Sequence, residues 1–215
     1  MAKQNIRNDQ RPSVDVEKRI EADWQDCTRC PLHGSRTQVV FTRGTLPADI
    51  CFIGRAPTSI DDVSGVPLSG PTGNMLDTII RELSLEADLI KSPFTWCAFT
   101  TVGCVPWNNV EQLTVRPPDR QETDACLPRL ISLLTAAKPS GLVLLGSVAD
   151  YYWNRYRLHF KQAGFDLPIL SIAHPNEAIH NGGASSSNMV YSGIKISIKQ
   201  FLFRNVLPAR RSSFG

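Results

Sequence analysis

Apolar and polar positions along the chain follow two different periods in alternating blocks. Short apolar runs that end at Gly or Pro predict buried parallel strands at 48–54, 94–103, 141–146 and 166–175. Apolar residues that recur every three or four positions predict helices at 14–26, 74–83, 122–138, 147–160 and 194–205. We therefore expect an α/β fold with a parallel sheet and helices on both of its faces.

The predicted strands are followed by loops rich in Gly, Pro and polar residues. These loops lie at 55–73, 103–118, 146–148 and 174–188. In parallel α/β folds, ligands bind outside the carboxyl ends of the strands, so we expect the functional site there. No Walker A or GxGxxG fingerprint occurs, and we expect no nucleotide cofactor.

The composition indicates what class of protein this is but says little about its function. Of the 215 residues, 42% are hydrophobic and 20% are charged, which fits a single domain at 13–207 between flexible tails at 1–12 and 208–215. The net charge of +3 is too small to indicate a polyanionic partner. The chain has no apolar run of membrane-spanning length, and its polar start is unlike a secretory signal. We expect a cytoplasmic monomer that does not bind membranes.

Six cysteines are the unusual feature of this composition. Cys51 and Cys97 lie inside apolar runs, which predicts small core side chains. The other four lie beside turn residues, at Cys27, Cys30, Cys104 and Cys126. A CxxC pair can bring two thiolates to one metal centre, and distant loops can supply two more. The residues alone leave open an iron–sulfur cluster, a zinc site or four unrelated thiols.

The motifs at these positions, taken in chain order, resemble those of a known family. They are CTRCPLHGSRTQVVFTRG, ADICFIGRAPTSIDDVSGVPLSGPTGNMLD, FTTVGCVPWNN, ACLPRL, LVLLGSVA and SIAHPNEAIH. This pattern resembles the family-four uracil-DNA glycosylases, the iron–sulfur branch of the uracil-DNA glycosylase superfamily. The resemblance implies a three-layer α/β/α sandwich with a four-stranded parallel sheet. It also implies a 4Fe–4S cluster whose ligands are Cys27, Cys30, Cys104 and Cys126.

Three positions that handle uracil in that family differ in this sequence. GRAPT places Arg55, followed by Ala56, where the family has a Glu that assists catalysis. VPLSG places Leu68 at the position of an aromatic ring that stacks on uracil, and FTTVGC places Thr100 at the position of an Asn that reads the uracil edge. Thr lacks the paired donor and acceptor of an amide. Leu68 and Thr100 are also smaller than the residues they replace, so the base pocket gains volume, which favours a larger base. Drift in a protein without catalytic duty is the alternative.

Base excision leaves positive charge on the sugar and negative charge on the departing base. His174, in the retained His-Pro motif, is the predicted hydrogen-bond donor to that base. Asp62 is the preferred candidate for the carboxylate near the sugar, and Asp61 is the second candidate. Ordinary turn or helix-cap roles are the alternative for these residues. Arg55 has two opposed interpretations: it clamps a phosphate or a polar substituent of the base, or it marks a lost catalytic acid.

Contacts to DNA are predicted at two loops. Backbone amides at Gly70, Gly73 and Asn74, where a helix begins, are suited to bind a phosphate. Ile179 or His180 is suited to fill the gap that a flipped nucleotide leaves in the duplex.

These observations predict a monofunctional DNA glycosylase that flips out and excises a bulky modified pyrimidine, leaving an abasic site. Glucosylated hydroxymethylcytosine of phage DNA is an example, which implies a role in antiviral defence. Two other functions stay open: uracil excision in base-excision repair, and a catalytically inactive DNA-binding iron–sulfur module. The retained His174 and acidic pair, together with the loss of all three uracil-handling residues, favour the first function, and Arg55 as a lost catalytic acid keeps the inactive module open.

Overall fold

The protein is described by a computed structural model that covers residues 14–91, 93–109, 111, 114–185 and 187–208. Its α-helices are α1 Val14–Trp24, α2 Ser59–Ser64, α3 Pro71–Ser84, α4 Ala87–Ile90, α5 Arg120–Ala137, α6 Ser147–Arg155, α7 Arg157–Gln162, α8 Pro175–His180 and α9 Met189–Phe201. Its strands are β1 Arg43–Gly44, β2 Ile50–Gly54, β3 Trp96–Thr100, β4 Trp107–Asn109, β5 Thr114–Val115, β6 Gly141–Leu145 and β7 Ile169–Ile172. A 3₁₀ helix at Pro31–Gly34 and a π-helical segment at Leu202–Val206 complete the described elements.

The main sheet has the strand order β1-β3-β2-β6-β7. β3, β2, β6 and β7 are parallel, which confirms the predicted parallel sheet, and β1 adds an antiparallel edge next to β3. The sheet therefore has five strands where four were expected. β1 consists of Arg43 and Gly44 alone, and a strand of two residues is too short to show alternation in a sequence.

Both faces of the sheet are covered, and this confirms the α/β/α sandwich. Ile50 and Phe52 of β2 pack with α3 and α9 on one face, while Cys51 and Ile53 pack with α1, α5 and α6 on the other. Every residue of β2 is buried, as expected for a central parallel strand. The alternation of side chains along this one strand thus divides the core into two layers.

Several helices differ from their predicted bounds for local reasons. α3 begins at Pro71 because Pro fits the first helical position and Gly70 precedes it as the N-cap. The single helix predicted at 147–160 is interrupted at Tyr156, between α6 and α7. α2 lies in what was expected to be a loop, and a capping box at its start accounts for it.

The predicted division into one domain and two tails stays a prediction. The N-terminal tail at 1–12 lies outside the described residues, and of the C-terminal tail at 208–215 only Pro208 is described. Among the described helices, none combines the length and apolar character needed to cross a membrane.

The start of α3 packs tightly against the loop that precedes it. A Cβ added at Gly73 would lie 1.5 Å from the backbone oxygen of Leu68 and 2.7 Å from Nη1 of Arg43. Arg43 in turn donates a hydrogen bond of 2.6 Å to that same Leu68 oxygen and forms an ion pair with Asp77 of α3. Only glycine allows this approach, so Gly73 fixes the position of the loop relative to the helix.

We predict that Gly73→Ala destabilises the fold, because the added methyl group collides with backbone rather than with a flexible side chain. The free energy of unfolding, measured by urea denaturation, should fall by about 3 kcal/mol. Gly193→Ala is the matched control, because Gly193 lies in α9 with no atom near its added Cβ. It should leave the protein unchanged or up to about 1 kcal/mol more stable. Equal stability of both variants would contradict the tight contact at Gly73.

Candidate functional site

A cavity of about 190 Å³ lies at the carboxyl ends of the parallel strands. Its walls come from the segment after β2, from α2, from the start of α3 and from the segment after β7. The lining residues are Gly54, Arg55, Ala56, Thr58, Ile60, Asp61, Leu68, Gly70, Pro71, Thr72, His174 and Asn176. This is the edge at which the sequence predicts a ligand site.

A larger hollow of about 680 Å³ lies elsewhere, beside α1 and the end of α2. It is lined by polar side chains such as Glu21, Gln25 and Arg36. None of the residues predicted for catalysis or base binding lines it. The smaller cavity is therefore the candidate active site.

His174 lies two residues after β7 and is the N-cap of α8. Its Nδ1 accepts a hydrogen bond of 3.3 Å from the backbone N–H of Asn176. A neutral ring that accepts at Nδ1 carries its proton on Nε2, which leaves Nε2–H as a donor. Burial lowers the pKa of His174, and the positive charge of Arg55 lowers it further, while Glu177 acts weakly in the opposite direction. The ring is therefore neutral at pH 7 and both caps the helix and lines the cavity.

Arg55 follows β2 directly and lines the same cavity as His174. Within the described ranges, no carboxylate lies at ion-pair distance from its guanidinium. An unpaired, half-buried guanidinium beside a neutral histidine makes this wall of the cavity positive. Such a wall favours a ligand that carries or develops negative charge.

Asp61 is the one carboxylate among the described residues that line the cavity. One of its oxygens accepts from the N–H of Thr58 at 2.9 Å and the other from the N–H of Ser69 at 2.7 Å. The first bond belongs to the capping box of α2, so the helix-cap alternative raised for this residue describes its contacts. Asp61 is 1% exposed, and each of its oxygens retains capacity for one more hydrogen bond.

Asp62 does not line the cavity. Its side chain is 2% exposed, and its two oxygens share the N–H of Thr37 at 3.0 and 2.9 Å. This bond joins α2 to the segment after the 3₁₀ helix. The placement differs from the predicted role near the sugar, because Asp62 is not part of the cavity lining and both of its oxygens bond to Thr37.

Leu68 lines the cavity with its backbone in the left-handed region, at φ 55°. This conformation is uncommon for residues other than Gly, Asn and Asp, and it persists where the surroundings enforce it. The Arg43 bond to the Leu68 oxygen and the close approach of Gly73 are those surroundings. Ala56 also lines the cavity, as predicted for the base pocket.

Thr100 is placed differently from its prediction. It is fully buried at the end of β3, and its hydroxyl donates a hydrogen bond of 2.7 Å to the backbone oxygen of Val102. Its methyl group faces Gly54, and the side chain does not line the cavity. The hydroxyl is therefore used within its own turn.

The predicted phosphate-binding amides are in part already used. The N–H groups of Gly73 and Asn74 both donate to the backbone oxygen of Gly70, at 2.9 and 3.1 Å. Neither amide is free for a phosphate, because both belong to the first turn of α3. Gly70 itself lines the cavity.

The two residues predicted to fill the gap in the duplex differ from each other. Ile179 is half-buried and packs against the core beneath α8, so only part of its side chain is exposed. His180, the last residue of α8, is exposed. Of the pair, His180 is the more accessible to DNA.

Four cysteines come from three separate segments of the chain. Cys27 and Cys30 flank the turn before the 3₁₀ helix, Cys104 follows β3, and Cys126 lies in α5. Burial raises the pKa of Cys30, and the thiols of Cys126 and Cys27 act in the same direction. Burial also raises the pKa of Cys104 to about 11, against the lowering effect of Arg36. Cys126 thus acts on both Cys30 and Cys104, and Cys27 acts on Cys30.

Hydrogen-bond donors already face two of these sulfurs. The N–H of Gly103 donates to Sγ of Cys126 at 3.3 Å, and Nη1 of Arg36 donates to Sγ of Cys104 at 3.4 Å. In the described part of the chain, no three His, Cys, Asp or Glu side chains are close enough together to hold a metal ion. The set of donors fits a thiolate-ligated centre in kind, and the side-chain positions are those of free thiols.

Cys51 and Cys97 are separate from these four. They are paired residues on the adjacent strands β2 and β3, both fully buried, with their sulfurs 2.7 Å apart. This confirms the prediction that they are core side chains.

The profile described as the Uracil DNA glycosylase superfamily matches residues 41–191, which is more than half of the chain. The chain belongs to this superfamily. The match begins just before β1 and ends in α9, so it includes every strand of the main sheet and every residue that lines the cavity.

Similar proteins carry the name type-4 uracil-DNA glycosylase. The one from Pyrobaculum aerophilum is 31% identical over 137 residues, 63% of each chain, and the one from Thermotoga maritima is 32% identical over 123 residues, 57% of this chain and 58% of the relative. The one from Archaeoglobus fulgidus is 26% identical over 175 residues, 75% of this chain and 82% of the relative. The chain thus spans about three fifths of the first two relatives. These likenesses confirm the resemblance to the type-4 branch.

Two residues of this superfamily member were missed by the sequence analysis. The hydroxyl of Thr72 donates to Oδ1 of Asn176 at 2.5 Å, which joins the start of α3 to the start of α8 across the cavity. Both lie inside motifs already quoted, GPTGN and HPNE. Each follows a predicted site residue, Gly70 or His174, by two positions, and this proximity could have identified them from the sequence.

We predict that an NMR titration of the His174 ring gives a pKa below the ordinary value of 6.5. Arg55→Gln removes a nearby positive charge, so the pKa should rise toward 6.5 and stop short of it, because burial remains. Glu177→Gln is the matched control and should move the pKa in the opposite direction. A wild-type pKa at or above 6.5 would show that the ring is neither buried nor close to Arg55.

Proposed function

We propose that this chain is a DNA glycosylase that hydrolyses the N-glycosidic bond of a flipped-out non-canonical base and leaves an abasic site. The observation that carries the proposal is that Arg55 and His174 line the same cavity, which is of the size of a base, in a fold of the uracil-DNA glycosylase superfamily. The activity named for the type-4 relatives supports the same reaction class.

The charges of the cavity suit the leaving group of this reaction. As the bond breaks, negative charge develops on the departing base. Nε2–H of the neutral His174 can donate to that base, and the guanidinium of Arg55 can stabilise the charge without transferring a proton. Arg55 thus has a part in cleavage at the position where the resemblance implies a Glu.

The positive charge on the sugar needs a negative group on the other side. Asp61 is the carboxylate we propose for that purpose, because it lines the cavity and each of its oxygens can accept one more hydrogen bond. Its bonds to Thr58 and Ser69 hold it in place, so it acts by its charge and by orienting a water molecule. Asp62 has no part in this proposal.

We propose a modified pyrimidine as the base, with glucosylated hydroxymethylcytosine of phage DNA as the example and antiviral defence as the role. Leu68 in place of an aromatic ring, and the unpaired Arg55, support a base with a polar substituent. The cavity volume of about 190 Å³ is below the 300–1,000 Å³ typical of pockets for drug-sized ligands, so it accommodates a base and not an attached sugar. A sugar would extend over the exposed rim, where Ile60 is 48% exposed.

DNA is the proposed partner, and its contacts differ from the predicted ones. We propose that Thr72 and Asn176, which line the cavity, and the exposed His180 contact the DNA. The monomeric state and cytoplasmic location expected from the sequence remain part of the proposal.

We also propose a 4Fe–4S cluster on Cys27, Cys30, Cys104 and Cys126. Four thiols from three segments, with N–H donors already facing two of the sulfurs, support it. When bound, the cluster would supply covalent cross-links between the CxxC turn, the loop after β3 and α5. No step of base excision passes through it.

The function is tested by incubating the full chain with duplexes of identical sequence that carry cytosine, uracil, hydroxymethylcytosine or its glucosylated form. Mass spectrometry of released bases should detect the modified pyrimidine and an abasic site in the same strand. His174→Ala should slow release by about 10²–10⁴-fold, because it removes the donor to the leaving base. His159→Ala, a histidine exposed on α7 away from the cavity, is the matched control and should not change the rate.

Two results would overturn this substrate assignment in different ways. Release from the uracil duplex alone would establish the repair alternative. DNA binding without release from any duplex, unchanged by His174→Ala, would establish the inactive module.

The cluster is tested by elemental analysis of protein purified without oxygen. We predict iron and acid-labile sulfide in equal amounts, most of which Cys126→Ser loses because one ligand is gone. Cys97→Ala, a core cysteine on β3, should retain them. Zinc in place of iron, or equal iron in Cys126→Ser and the wild type, would contradict the assignment.

A further inference from the structure

Arg129 is a buried charged side chain close to two of the four cysteines, Cys104 and Cys126. It lies three residues after Cys126 on α5, and it is 1% exposed. Its Nη1 and Nη2 donate to the backbone oxygens of Thr100 and Val40. Its Nε is buried without a hydrogen-bond partner, and among the described side chains no carboxylate lies at ion-pair distance.

This arrangement is costly for a guanidinium. Arg keeps its charge under all physiological conditions, so burial cannot be relieved by loss of a proton. Two neutral carbonyl groups satisfy some of its N–H groups but do not balance the charge. A buried cation of this kind is expected to have an anionic partner close by.

Arg129 contacts Gly103, the residue that precedes the predicted cluster ligand Cys104. A Cβ added at Gly103 would lie 2.5 Å from Nε of Arg129, so the guanidinium lies against this glycine. The N–H of Gly103 in turn donates to Sγ of Cys126.

A second guanidinium, that of Arg36, also lies at the predicted ligands. Arg36 donates to Sγ of Cys104 and, at 2.6 Å, to the backbone oxygen of Cys27. It is half-buried, whereas Arg129 is fully buried. Two cations therefore face a group of thiols that are neutral when free and anionic when they hold iron.

We propose that Arg129, together with Arg36, is the built-in countercharge of the iron–sulfur cluster, and this inference rests on the cluster proposed above. Four thiolates outweigh the positive charge of the iron–sulfide core, so the ligated cluster is an anion in a site of low dielectric. The guanidiniums stabilise the cluster as a whole, and they stabilise its reduced form most because that form carries one more negative charge. They therefore retain the cluster and raise its reduction potential.

The test compares Arg129→Met, which removes the charge at similar volume, with Arg129→Lys, which keeps it. The readouts are iron content, the rate of iron loss to a chelator, and the midpoint potential from a dithionite titration followed by visible and EPR spectra. Arg129→Met should lose iron at least about tenfold faster than the wild type, and its potential should be lower. Arg129→Lys should recover most of both, and Arg36→Met should lower the potential by a smaller amount, because Arg36 is more exposed.

Lys195→Met is the matched control. Lys195 pairs with Glu82 and Glu86 on the α3 and α9 face of the sheet, so its loss should leave the potential unchanged. A purely structural role of Arg129 predicts lower stability of the iron-free protein with no change in potential. If Arg129→Met does not fold, Arg36→Met provides the same comparison.

The outcomes separate the two proposals. A wild-type protein that contains no iron refutes the cluster and the countercharge together. A wild-type cluster whose potential and retention are the same in Arg129→Met and Arg36→Met refutes the countercharge alone. A lower potential in either variant, with Lys195→Met unchanged, supports it.

Discussion

Parallel pairing of β2 with β3 on one side and β6 on the other is the constraint on which the rest of the structure depends. The backbone hydrogen bonds of β2 are satisfied by both neighbours, and its side chains divide the core into two layers. Because parallel strands end at the same edge, Arg55 after β2 and His174 after β7 meet at one cavity. The loop after β3 carries Cys104 from the same sheet toward Cys126. The cavity and the cysteine cluster therefore share one scaffold.

The hydrophobic pattern was sufficient for the central strands and the covering helices, because burial on both faces leaves a continuous apolar signal. It was insufficient for β1, whose two residues pair only because Gly44 accepts a φ of 96° against the backbone oxygen of Trp96. Such an edge depends on tertiary contact, which periodicity does not report. α2 was missed although Thr58 and Asp61 form a capping box that the sequence does show.

The sequence was sufficient to predict which loops form the candidate site, but not which of their side chains line the cavity. Arg55, Leu68 and His174 line the cavity, as motif position indicated. Asp62 does not, because it bonds to Thr37, 25 residues away, which a motif cannot reveal, and Thr100 does not, because its hydroxyl bonds to the backbone of its own turn. Short polar side chains next to turns bond to the local backbone readily, so their presence at a strand end is weak evidence of a role in catalysis.

The left-handed backbone at Leu68 has a consequence for how this cavity can change in evolution. Side chains branched at Cβ are poorly compatible with a φ of 55°, whereas Gly and Asn adopt it at little cost. The accessible substitutions at this wall are therefore few and alter its size in large steps. Arg55 and Ala56 have no such backbone restriction, so gradual adaptation to new bases is expected to proceed through that wall. The backbone torsion angle of Leu68 thus restricts substitution at its own wall of the pocket, while the wall formed by Arg55 and Ala56 is free to change.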